Sequence, residues 1–278
     1  MLLATQIVLC ASAAWGQAPE AAPDPTSIVR KSVDIDRKNW ELLKDYTFVE
    51  DGQQREYHRD GSIGKTRSQT YDVLVLDGTP YRRKTAKDGK ALEEKESRKD
   101  EETFEKERAR RLHETEEQRR KRVAEEEKNR AKGHAFVMQI PDAFHFVLVG
   151  EENIEGQPVW VIDATPRPGF KPTQPHGDML PKFKGRLWIE KEDYRWVKVE
   201  AQTIGAVSFG MALLRLRPGT TLTFSQKRLN SELWVPSHFL LRLDMRVGWV
   251  KGIRVDVETN WRDYRKFSAE SRIVSTQQ

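Results

Sequence analysis

Cysteine is nearly absent from this chain: Cys10 is the only one among 278 residues. That excludes a disulfide scaffold, an iron–sulfur centre and a cysteine-rich zinc module. No segment after the first residues offers about 18 uninterrupted apolar residues, so a multi-pass helical membrane protein is excluded as well. The motifs of common catalysts are missing too. There is no HExxH, no GxSxG elbow, no GxxxxGK[ST] and no GxGxxG opening a helix. The six histidines (His58, His113, His134, His145, His176 and His238) form no i, i+4 pair and no cluster at metal-ligand spacing. Serines stand in ordinary polar contexts, and the many carboxylates single out no acid–base pair. The sequence therefore assigns no catalytic residue, no metal and no cofactor, and it reads as a protein that is not an enzyme. A wholly disordered chain is excluded by what is plentiful: 8 Trp, 6 Tyr and 11 Phe supply large apolar surfaces for a core.

The first residues, MLLATQIVLCASAAWGQA, run from apolar to small and end on Ala14-Trp15-Gly16. This is the order of a signal peptide, residues 1–16, cleaved after Gly16. No Lys or Arg precedes Arg30, and a start codon placed slightly too late accounts for that gap. A lipoprotein signal wants Gly or Ala before its cysteine, whereas Leu9 stands there. A soluble protein exported to the periplasm is expected, and the mature chain would hold no cysteine, compatible with an oxidising compartment. Residues 17–26, rich in Pro and Ala, read as a linker.

Residues 27–278 read as one domain. Thr26 or Ser27 can cap a first helix that presents Ile28, Val33, Ile35, Trp40, Leu42 and Leu43 and ends near residue 44. Period-2 patterning then begins, and Asp60-Gly61, Asp77-Gly78 and Asp88-Gly89 punctuate it as hairpin turns do. Residues 93–132 differ in kind: 28 of these 40 are charged, 14 acidic and 14 basic. Glu and a base recur four apart, as in Glu102/Lys106 and Glu116/Arg120, each pair worth about 0.2–0.5 kcal/mol to a helix. Without Pro or Gly before Gly133, the spacing predicts one inserted, solvent-projecting helix of about 60 Å. Phe104, Leu112 and Val123 are too few for a coiled-coil seam. Equal numbers of acids and bases give no positive stripe for nucleic acid; the net charge of +5 arises elsewhere.

Beyond Met138 the strand pattern returns in FHFVLVGEENI and QPVWVIDATP, then in GRLWIEK and RWVKVEAQT. Further on, Phe239, Leu241, Leu243 and Met245 alternate with Arg242, Asp244 and Arg246. One wet and one dry face mean antiparallel sheet. Leu187, Ile189, Val197, Val199, Leu222, Phe224, Phe239, Leu241, Leu243, Ile253, Val255 and Val257 all fall on apolar sides of their strands. VSFGMALLRL (207–216) adds a second apolar surface, with a candidate short helix over 207–214. So much apolar sheet needs cover from helices, from its own curvature, or from a ligand. The twelve residues named are thus either core or the lining of a hydrophobic cavity.

The order of these strands carries a resemblance. Gly156 to Ile162 forms a G-x-x-x-W-V-I strand, Gly185 to Ile189 a G-x-L-W-I strand, Trp234 to Pro236 a W-V-P step, and Tyr264 to Phe267 a terminal Y-R-x-F. Together they resemble the LolA/LolB-like superfamily, especially outer-membrane lipoprotein-sorting proteins, over about residues 27–90 and 134–268. The resemblance implies an α+β fold: a strongly curved antiparallel sheet, an incomplete barrel, with helices on its concave face. It also implies a cavity that shelters lipid or lipoprotein acyl chains. The charged segment 93–132 departs from that pattern, and no ligand-contacting residue is carried over. Two function classes follow: a periplasmic binder of a hydrophobic ligand, with at most peripheral membrane contact, or a non-catalytic envelope interaction or sensor protein docking a partner through 93–132.

Overall fold

The computed structural model describes residues 23–209, 214–231, 233–247 and 251–267. The expected signal peptide and most of the linker lie outside the described residues, as do 210–213 of the VSFGMALLRL run. The chain opens with α1 (Pro25–Leu43), then β1 (Tyr46–Tyr57), β2 (Ile63–Leu76), β3 (Thr79–Lys87) and the short β4 (Lys90–Ala91). Helices α2 (Glu94–Leu112), α3 (Glu116–Val137) and α4 (Ile140–Ala143) follow. The rest is β5 (Phe144–Ile154), β6 (Gln157–Pro166), β7 (Phe183–Glu190), β8 (Trp196–Thr203), β9 (Val207–Phe209), β10 (Leu214–Leu216), β11 (Thr221–Arg228), β12 (Trp234–Val247) and β13 (Lys251–Lys266).

Every strand pairs antiparallel within one open sheet, in the order β4-β3-β2-β1-β13-β12-β11-β8-β7-β6-β5, with β10 and β9 added beside β12. The expected α+β class, a large antiparallel sheet with few helices, is the architecture found. The hairpin turns work as their sequences require. Asp77-Gly78, Asp88-Gly89 and Glu155-Gly156 each place two successive residues at positive φ, the twist that joins adjacent strands tightly. At the β7–β8 turn the Glu190 carboxylate accepts the N–H groups of Glu192 and Asp193 (2.9 and 2.5 Å).

Helix α1 starts earlier than the sequence spacing implies. Asp24, not Thr26 or Ser27, is the N-cap and accepts Ser27 N–H at 2.9 Å, with Pro25 in the first turn, where its missing N–H costs nothing. Its buried stripe is Ile28, Val29, Ser32, Val33, Asn39 and Leu43, whereas Trp40 and Leu42 are exposed. The stripe lies across one face of the sheet, here termed inner. Ile28 and Val29 pack with Ala143, Phe144, Phe146, Trp160, Ile162, Leu187 and Ile189 in the main core. Trp196 Nε1 donates to Ser32 Oγ (2.5 Å), and Arg195 donates to the Ile35 carbonyl (3.0 Å). At the far end Leu43 meets Leu233 and Val235.

The charged segment corrects an expectation. It is two helices, α2 and α3, broken at His113–Thr115, and it does not project into solvent. Thr115 caps α3 in a capping box with Gln118, so a new helix starts where the old one ends. Gly133, expected as a terminus, lies inside α3. The inward side chains hold both helices to the β2–β3 hairpin. Phe104 packs on Tyr81 (ring centroids 5.4 Å apart) and Asp100 pairs with Arg83 (3.2 Å). Arg111 donates to Thr79 Oγ1 (2.8 Å), and Arg122 binds both Asp77 (2.6 Å) and the nearly inaccessible Glu114 (2.9 Å). Residues 207–216 correct another expectation: the described parts are strands β9 and β10, not a helix.

Asn39 joins α1 to the sheet through both ends of its amide. Nδ2 donates to the Trp234 carbonyl (2.6 Å) and Oδ1 accepts Trp234 N–H (2.9 Å), all buried. Asn39→Ala should cost about 2–4 kcal/mol, because it strands two buried backbone groups. Chemical denaturation of the variant against wild type measures this; a loss under 1 kcal/mol would contradict the role.

Candidate functional site

Strand alternation and register decide which side chains share the inner face. Val199, opposite Leu187, points into the core beneath α1, and Phe224 is its neighbour on β11. From there the rows continue across the sheet: Leu222–Leu241–Val257 and Phe224–Phe239–Thr259, then Leu243–Val255 and Met245–Ile253. Helix α1 covers β5 to β8 and touches β12 only near Trp234, so these rows emerge beyond it. Leu222, Phe224, Phe239, Leu241, Leu243, Ile253 and Val257 are half-buried, and Val255 is buried. Eight apolar side chains thus form one stripe beside the core.

The remaining residues of the expected cavity are placed elsewhere. Leu187, Ile189 and Val199 are part of the packing beneath α1. Val197 points to the opposite face, with Val159, Val161, Trp188 and Trp234. The cause is a β-bulge: Trp188 pairs with Lys198 and Ile189 with Trp196, which leaves Val197 unpaired. One extra residue reverses the faces of the strand. Period-2 counting from Val199 cannot see this.

Past β13 the same rows turn polar. Val257 continues to Gln54 and Arg67, and Val255 to Glu56 and Lys65. Trp261 continues to Glu50, Tyr71 and Lys84. Here Arg67 pairs with Glu56 (2.5 Å), Arg82 pairs with Glu50 and lies 4.2 Å from the Tyr71 ring centroid, and Trp261 Nε1 donates to Glu50 (3.2 Å). The inner face is therefore amphipathic along the direction crossing the strands. On the outer face, a depression of about 590 Å³ is lined by Asp163, Lys184, Arg186, Glu200 and Arg242 among others, and is mostly polar.

A polar cluster beside α1 is absent from the sequence reading. Asp36 accepts Trp40 Nε1 (2.8 Å) and stands near Arg195, Gln226 and His134. Its carboxyl is pushed above the usual range, chiefly because protein atoms crowd it although part of its surface stays exposed. Arg195 is shifted down by burial in turn, and the buried Gln226 Oε1 has no hydrogen-bond partner among the described residues. The available signal is Asp36 itself, a charge one turn beyond Ser32 and Val33 on the buried stripe. Among the described residues no group of three or more His, Cys, Asp or Glu could hold a metal ion, and no helix is long and apolar enough to cross a membrane.

No family model matches the sequence, and no curated protein matches it. Among solved structures the chain is similar to a DUF1329 family protein from Desulfovibrio piger, at 14% identity and a TM-score of 0.36, covering 90% of this chain and 96% of that one. It is similar to a putative outer membrane lipoprotein-sorting protein domain from Vibrio parahaemolyticus, at 13% identity and 0.33, covering 87% and 95%. It is also similar to a LolA superfamily protein from Nitrosomonas europaea, at 10% identity and 0.30, covering 89% and 95%. Two of these carry the lipoprotein-sorting or LolA description that the strand motifs resemble. The architecture described above rests on this chain's own strand pairing.

The Asp36 cluster yields a pH test. A carboxyl whose pKa is raised in the folded state binds its proton more tightly there than in the unfolded chain. Its contribution therefore favours folding at low pH and is lost as pH rises through the folded value. Asp36→Asn, which can still accept from Trp40, should match wild type in acid, below an ordinary carboxylate pKa of about 3.9. It should melt at a higher temperature at pH 7. Thermal melts of both proteins across that range check it, and a variant less stable at pH 7 would sink the account.

Proposed function

We propose that this is an exported, non-catalytic protein that binds the acyl chain of a lipid or lipidated protein on the inner face of β11 to β13. The single observation that carries the reading is the apolar stripe of Leu222, Phe224, Phe239, Leu241, Leu243, Ile253, Val255 and Val257, which continues the core yet lies beyond the cover of α1. Seven of the eight are half-buried where the rest of the apolar inner face is sealed, and a contiguous apolar face left partly open to solvent is the kind of surface that marks a binding site. Each methylene buried there contributes about 0.8 kcal/mol, so ten of them support micromolar binding once association costs are met. The rows also give the ligand a direction. An acyl chain lying across the strands has its apolar length on β11 to β13 and its polar end toward Gln54, Arg67 and Lys65. Export to the periplasm belongs to the same reading and rests on the N-terminal sequence.

The mature chain should take up a fluorescent fatty acid saturably, with micromolar affinity. Leu241→Gln, in the centre of the stripe, should weaken uptake about tenfold while lowering unfolding stability by about 1 kcal/mol or less. Absence of saturable uptake of any acyl probe by the wild type overturns the reading.

A further inference from the structure

The outer face of the sheet is unevenly charged where β10, β12 and β13 lie side by side. Arg215 on β10 stands directly opposite Arg246 on β12, and neither has a carboxylate partner among the described residues. In the next row Asp244 faces Arg254, but Arg254 donates instead to the backbone carbonyls of His58 (3.4 Å) and Arg59 (2.8 Å). Asp244 is taken by Arg217 (3.4 Å), and Asp256 by Arg242 (3.7 Å). Six exposed arginines, Arg59, Arg215, Arg217, Arg242, Arg246 and Arg254, thus surround two aspartates. Gly252, opposite Arg246, leaves room above the strand, and a Cβ there would lie 3.5 Å from the Arg217 guanidinium. Part of this group lines a shallow depression of about 360 Å³.

Like charges set directly opposite on neighbouring strands weaken a sheet, so the Arg215–Arg246 pair does nothing for the fold. An external anion would relieve it. On the reverse of the same strand ends, one row deep, stand Leu216, Met245 and Ile253. This end of the sheet is therefore basic on one side and apolar on the other. That is the order met at a bilayer surface, where anionic head groups overlie hydrocarbon. Nucleic acid or an acidic protein would satisfy the arginines and leave the apolar row unused. The charges of α2 and α3, balanced in sign and partly bound to the β2–β3 hairpin, offer no such field.

We propose that the β10–β12–β13 end of the sheet, through Arg215, Arg246 and the arginines around them, docks on a membrane surface rich in anionic phospholipid. The docking end shares Ile253 with the apolar stripe, but its arginines lie on the opposite face, so vesicle binding and acyl-chain uptake are tested separately. Co-sedimentation of the mature protein with vesicles tests it. Vesicles of phosphatidylcholine containing 30% phosphatidylglycerol should bind at least tenfold more tightly than pure phosphatidylcholine, and salt should weaken that binding. At about 1 kcal/mol for each surface arginine, Arg215→Gln/Arg246→Gln should bind such vesicles about 30-fold more weakly. The double variant removes a repulsion, so its melting temperature should hold or rise, and its uptake of the fatty-acid probe should be unchanged. Arg215→Lys/Arg246→Lys should keep the vesicle affinity, since only the charge is needed. No preference for phosphatidylglycerol overturns the proposal. So does equal binding by the glutamine variant, or binding of a fluorescent oligonucleotide more tightly than of the vesicles.

Discussion

Strands β4 and β5, neighbours in the sequence of strands, form the two opposite edges of one sheet. That placement governs the rest of the molecule, because the connection between them has to travel the full width. Eight inter-strand steps from β2 to β5 measure about 38 Å on a flat sheet, and the 22 residues of α3 rise about 33 Å. One straight helix nearly spans the gap, and twist and curvature of the sheet supply the difference. The connector also changes sides. Tyr81 and Arg83, which bind α2, alternate with Arg82 and Lys84 on the inner face, so α2 lies on the outer face. The break at Thr115 lets the chain turn around the Asp77-Gly78 hairpin tip. By its far end, α3 brings Arg130 and His134 beside Glu41 and Asp36 of α1. A segment that reads as a solvated insertion is the strap that joins the two edges.

The strap explains the composition of these helices better than solvation alone. Glu114, Arg111 and Arg122 are the groups bound at the turning point, and their side chains are among the least exposed in the segment. Removing one partner there would leave an uncompensated charge at a poorly hydrated site, which is costly. The outward charges matter less, since exposed pairs contribute little. The inner face is divided by a different economy of cover. One amphipathic helix of 19 residues is too short for eleven strands, so it seals β5 to β8 and leaves β11 to β13 to something else.

The sequence made the local units legible. Asp-Gly and Glu-Gly dipeptides marked hairpins whose φ values are positive as those residue pairs permit, and FHFVLVGEENI and QPVWVIDATP are β5 and β6 residue for residue. What stayed illegible was set by single extra residues or by distance. Val197 changed faces through a bulge that leaves no mark in composition. Asn39 was buried in place of Trp40 because its amide serves Trp234, 195 residues away. The helix break at His113–Thr115 lacks Pro and Gly, although the Thr-Glu-Glu-Gln order of a capping box was there to be read. Of the candidate site, the eight stripe residues were legible as apolar alternation, while the core positions under α1 share that same alternation. No periodicity states which strands a helix will cover. Nor does it give strand order, and so the insertion could not be recognised as a crossing.

The pairing of β1 with β13 joins Tyr46 to Lys266, and almost every tertiary partner of α1 is made more than 100 residues after it. During synthesis the first two hairpins emerge with β1 paired to β2 on one side only and no sheet for α1 to rest on. The structure closes when the last strand arrives, as a keystone closes an arch. Such a chain has a high contact order and pays its loop entropy before long-range contacts return it, so its folding is slow. Its N-terminal third has no stable resting place of its own, and loss of the final strand would open the arch at its middle rather than fray one end.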